Sequence, residues 1–123
     1  MQYAMLIYQT PEAFEARKNG DDDPSVGAWR AYYKALVDSG AYVGGDPLHV
    51  PETATTVRLK DGRRHIQDGP YANTKEQLAG FAILELPSLD AALEWAARCP
   101  ELQRAGAVEV RPLAPDVKQR IVR

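Results

Sequence analysis

Gln2 to Tyr8 is apolar on both of its alternating faces. Tyr3, Met5 and Ile7 lie on one side, and Ala4, Leu6 and Tyr8 on the other. A strand that is apolar on both sides is usually covered on both sides. Helices of the same chain can cover one face, but in 123 residues something else must cover the second. The stretch "TPEAFEARKNGDDDPS" is polar and turn-rich, with one helical turn expected near Glu12 to Arg17. Asp23 and Pro24 then form a helix start, because the side chain caps and proline lacks only an N–H that would be unpaired there anyway. Val26, Trp29, Tyr33, Leu36 and Val37 recur at helical spacing before Gly40. The spacing predicts a helix from Pro24 to Ser39.

Tyr42 to Asp46 reads as a short strand, followed by an irregular "PLHVPE". Thr53 to Lys60 alternates, Asp61-Gly62 is a two-residue hairpin signal, and Arg63 to Asp68 returns as the partner strand. In "DGPYANTKEQLAGF" (68 to 81), Gly69 and Pro70 end that strand. Thr74 with Gln77, or Asn73 with Glu76, has the spacing of a capping box opening a short helix. Gly80 to Leu86 is apolar and strand-like. Ser88 caps a second helix through Leu89, Ala92, Leu93 and Ala96, which Pro100 stops. Ala107 to Leu113 is a last strand, with Val108 and Val110 toward the core and Glu109 and Arg111 away from it. Pro112 and Pro115 end it.

The order is α+β, a ferredoxin-like split βαβ arrangement with an inserted hairpin, in one domain over residues 1–123. Both helices should pack on one sheet face. The other face, with Ala4, Leu6 and Tyr8, predicts a homodimer that packs sheet on sheet.

Composition narrows the function. A net charge of −2 with scattered basic residues leaves no electrostatic footprint for nucleic acid. The N-terminal apolar run is too short for a signal peptide or membrane span. No membrane partner is expected, and the single Cys99 fits a cytoplasmic protein without an internal disulfide. Cys99 reads as a half-buried, inert thiol. Two histidines with no HxH or CxxC spacing make a poor metal site. No glycine-rich phosphate loop or dinucleotide fingerprint is present, so no cofactor is expected.

Asp68 is the leading catalytic candidate, a carboxylate at a strand end beside a Gly-Pro turn. The competing reading has it accepting hydrogen bonds from turn N–H groups. His49, in the "DPLHVPE" loop, is its candidate assistant. Tyr71 and Trp29 are candidates to shape a pocket, and Arg58 or Arg111 to hold a carboxylate through a two-pronged donor, with Asp46 opposing them. An aromatic stripe at helical spacing is also what a core requires.

The string "DGPYANTKEQLAGFAILEL" resembles the signature box of the DGPF group of YCII-related proteins. "YAMLIY", Trp29, "WAARCP" and "GAVEVRPL" are similar to the same group, over nearly the whole chain. The resemblance implies a dimeric α+β barrel of ferredoxin-like subunits. It implies two functional alternatives: a lyase or isomerase acting on a small ring-derived acid, or a non-enzymatic dimer serving as an accessory or binding partner in transcription regulation. Asn73 stands where the group has Glu, Ala79 where it has Gly, and Ala82 where it has an aromatic. The His–Asp pair of relatives with proposed activity has no counterpart, because the first helix carries no histidine.

Overall fold

A computed structural model describes all residues, Met1–Arg123. Six strands and four α-helices follow in the order β1 (Gln2–Gln9), α1 (Pro11–Ala16), α2 (Ser25–Asp38), β2 (Tyr42–Pro47), β3 (Thr55–Lys60), β4 (Arg63–Asp68), β5 (Gln77–Glu85), α3 (Leu89–Ala97), β6 (Ala107–Pro112) and α4 (Pro115–Val122). Four strands form an antiparallel sheet ordered β2-β5-β1-β6, and β3 and β4 form a separate hairpin. This is the ferredoxin-like order, with two strand–helix–strand units interleaved around the central β1 and β5.

Alternation on β1 sets the layers. Tyr3, Met5, Ile7 and Gln9 are buried, and Ala4, Leu6 and Tyr8 are only half-buried. The buried set packs with Tyr32 and Leu36 of α2, Ala92 and Ala96 of α3, and Leu84 of β5. Both long helices therefore cover one face, as the pattern predicts. Tyr32 fastens them together, its hydroxyl donating to the Trp95 carbonyl at 2.6 Å. On the opposite face Leu6 lies beside Phe81 and Glu109, and Ala4 beside Ile83 and Arg111. Ala4, Leu6 and Ile83 are only half-buried and Phe81 is exposed, so the middle of this second face is not closed over by its own chain.

Local signals explain most of the boundaries. Asp23 accepts from the Ser25 N–H at 2.9 Å, holding the start of α2. Ser88 does the same for Ala91 at the start of α3. Asp61 and Gly62 both adopt positive φ, 52° and 75°, as a two-residue hairpin turn requires. Gly69 donates to the Ala54 carbonyl at 2.8 Å and accepts from the Thr56 hydroxyl at 2.8 Å. The Asp68-Gly69-Pro70 corner is thus bound into the base of the hairpin.

Two expectations are corrected. No helix opens at Asn73 or Thr74, because β5 already begins at Gln77. The Gln77 amide instead donates to the Ala72 and Thr74 carbonyls at 3.0 and 2.8 Å, and those bonds close a loop rather than a helical turn. Beyond β6, Pro115 does not simply end a strand. It occupies the first turn of α4, which Asp116 and Arg120 support as an i,i+4 pair at 3.6 Å. No helix is long and apolar enough to cross a membrane.

Candidate functional site

Between α2 and the sheet lies a cavity of about 700 Å3. Its apolar wall includes Met5, Ile7, Trp29, Tyr32 and Leu36, and its polar groups include Gln9, Arg17, Asp23, Asp46 and Arg104. A concave, mostly apolar space with a few convergent polar groups is what small-molecule sites offer.

The polar end of the cavity is built around Glu101. Pro100 opens a 3-10 turn over Pro100–Arg104 that brings Glu101 under the end of β1. Gly106 permits the approach: a Cβ there would lie 2.6 Å from the Tyr8 carbonyl oxygen. The Glu101 side chain is fully buried. A lone buried carboxylate would cost several kcal/mol. Here it accepts from the Gln9 amide at 2.8 Å, the Trp29 indole N–H at 3.1 Å, and Arg104 Nε and Nη2 at 2.8 and 2.6 Å. Those bonds to Glu101, and then the nearby Asp23 charge, hold the Arg104 guanidinium above its usual pKa.

Asp23 is the second buried carboxylate, 3.6 Å from Arg104. Burial pushes its pKa up. The Ser25 backbone N–H and hydroxyl, together with Arg104, outweigh that and hold it below the ordinary aspartate value. The Arg104 contact therefore favours an ionised Asp23. Arg17 differs. It donates to the carbonyls of Leu48 and Ala79, the latter at 3.1 Å, and has no carboxylate within 4.0 Å. Burial lowers its pKa, with Glu101 acting in the opposite sense. Its charge is stabilised by dipoles and not neutralised by an ion pair.

Gln9 completes the floor. Its Nε2 is committed to Glu101, and its Oε1 is buried without a hydrogen-bond partner. A buried, unpaired amide oxygen is uncommon and costly.

The sequence-derived candidates are divided between three places. Trp29 and Asp46 border this cavity. His49 and Tyr71 line a second cleft of about 690 Å3, between the base of the hairpin and the ends of β1 and β5. Arg58 reaches that cleft's rim, its guanidinium 4.8 Å from the centre of the Tyr71 ring. Asp68 is exposed at the end of β4, paired across the hairpin with Thr55, and borders neither space. Arg111 lies on the open sheet face, where it donates to Glu109 at 3.0 Å. Asp68 and a histidine therefore do not share one cavity within the chain.

Five residues of the cluster carried no catalytic or binding assignment from sequence: Gln9, Arg17, Asp23, Glu101 and Arg104. Gln9 had a usable signal, since it continues the buried alternation of Tyr3, Met5 and Ile7. Asp23 was legible only as a cap. Glu101 and Arg104 lie in a turn without periodicity, and nothing local announces their burial.

The geometry can be set beside known proteins. A protein of Rhizobium meliloti strain 1021, described as uncharacterised, is 36% identical over 116 residues, covering 93% of each chain. Among solved structures, 5-chloro-2-hydroxyhydroquinone dehydrochlorinase from Burkholderia phenoliruptrix AC1100, in complex with 2,5-dihydroxybenzoquinone, matches with a TM-score of 0.54. That match has 17% identity and covers 93% of this chain and 94% of the other, a likeness of fold. The model of the YCII-related domain matches residues 1–115, and the chain belongs to that family.

Proposed function

We propose that the protein is a homodimer that binds a small ring-derived organic acid in the cavity between α2 and the sheet, and that it carries out a lyase- or isomerase-type step on it. The observation that carries this reading is the cavity's pairing of an apolar, Trp29-bearing wall with Arg17, a half-buried cation lacking a carboxylate partner. Such a cation attracts an anionic group, and arginine presents a two-pronged donor to a carboxylate. Trp29 offers its ring as a wall while its N–H is held by Glu101. Asp46, at the mouth and in no ion pair, is the carboxylate placed to accept or return a proton. In a lyase step it would take the proton from carbon, the electron pair would form the new double bond, and the leaving group would depart with its own pair. The structural neighbour named as a dehydrochlorinase, bound to a ring compound, supports the choice of reaction class.

Dimerisation is supported by the open sheet face, where the half-buried Leu6 and Ile83 adjoin the exposed Phe81. A second reading places the ligand at the hairpin cleft beside His49, favoured by Tyr71 and Arg58 meeting there.

The test is calorimetric titration with a panel of substituted benzoates. Arg17→Met should weaken binding about tenfold, roughly 1.4 kcal/mol. Asp46→Asn should abolish turnover of any substrate found while leaving affinity nearly unchanged. Asp68→Asn and His49→Ala should alter neither. Loss of binding in His49→Ala, with Arg17→Met unaffected, would move the site to the hairpin cleft.

A further inference from the structure

We infer that the cavity selects ligands that place a hydrogen-bond donor, a hydroxyl or an N–H, against Gln9, and rejects isosteres that cannot donate. This rests on the reading that the cavity binds a small ring acid, and adds the chemical class it takes.

The inference follows from the orientation of one amide. Gln9 is 6% exposed, at the last position of β1, and lines the cavity. Its Nε2 lies 2.8 Å from Glu101 Oε1. Turning the amide over would set its oxygen against the Glu101 carboxylate and leave its nitrogen without that acceptor. Glu101 cannot move to accommodate the turn, because Trp29 and Arg104 hold the same carboxylate. The amide is therefore locked with its oxygen as the free group, and that oxygen has no partner in the protein.

An oxygen can only accept. Its accessible surface is close to nil, so the bond it lacks has to come from a ligand group seated directly against Gln9. A hydroxyl or N–H supplies it. A fluorine, an ether oxygen or a carboxylate does not, and leaves a buried acceptor unpaired. A site arranged to bond a ligand hydroxyl discriminates strongly against the analogue that lacks one. Arg17, which lines the same cavity, serves the acid group, so the complete ligand carries both an acid group and a separate donor on a flat, largely apolar frame.

The experiment compares the 2-, 3- and 4-hydroxybenzoates with the corresponding fluorobenzoates by calorimetry on the full chain. At least one hydroxybenzoate should bind about tenfold more tightly than its fluoro counterpart. In Gln9→Met that ratio should fall to within about twofold. Fluorobenzoates that bind as well as every hydroxybenzoate would overturn the donor requirement and leave the cavity reading intact. A ratio that persists in a folded Gln9→Met variant would remove the assignment to Gln9. Failure of all six probes would remove the cavity reading, and this inference with it. Should Gln9→Met not fold, the wild-type chain still decides the matter: the Gln9 side-chain carbonyl 13C resonance should shift with the hydroxybenzoate and not with its fluoro counterpart, and equal shifts would contradict the inference.

Discussion

Gln9 and Glu101, 92 residues apart in the chain, meet at 2.8 Å on the floor of the cavity. The bond ties the end of β1 to the turn that follows α3. Through Trp29 and Arg104 the same carboxylate also reaches α2 and the buried Asp23. One buried charge thus gathers three separate segments around the candidate site.

Replacing that charge should therefore be costly even though Glu101 touches no solvent. Glu101→Gln leaves Arg104 with less compensation and sets a new amide against donors arranged for a carboxylate. The expected loss is about 3 kcal/mol by urea denaturation, in the range for removing one partner of a buried pair. A loss below about 1 kcal/mol would mean that water already reaches the cluster.

Much of the layering was legible from residues 2 to 9, because period-two alternation states directly which side chains share a face. The hairpin was legible from Asp61-Gly62, whose left-handed backbone angles few other pairs accept. The polar cluster was not. Gln9, Asp23, Glu101 and Arg104 converge only through tertiary packing, and a single sequence does not record which polar residues a fold will bury together. The DGPY corner drew notice because its residues are distinctive, yet Gly69 and Thr56 spend their hydrogen bonds on the hairpin base. A conspicuous turn announces backbone geometry more reliably than chemistry.

Cys99 gives a pH-dependent readout of folding. It is 1% exposed, and burial pushes its thiol from 9.0 to about 11. A group whose pKa is raised on folding contributes stability that is complete below its unfolded value and lost as pH rises through its folded one. Stability should thus decline between pH 9 and about 11, and Cys99→Ala should flatten that decline. Below pH 9 a disulfide reagent should label the native thiol only as fast as the chain opens. Immediate labelling of the native protein would contradict its burial.

The open sheet face predicts assembly. By sedimentation at micromolar concentration the wild-type chain should be a dimer. Leu6→Arg, which places a charge among Phe81, Glu109 and their neighbours, should sediment as a folded monomer. A wild-type monomer would remove the dimer from the proposal while leaving the cavity in place, since every group in it comes from one chain.

The location of the ligand is the central claim, and one titration tests it most directly. In 1H–15N spectra, a saturating hydroxybenzoate should shift the Trp29 indole and the Gln9 side-chain amide. The Trp95 indole, which lies outside the cavity, should stay in place. Shifts confined to Tyr71, His49 and the hairpin, with the Trp29 indole unmoved, would contradict it.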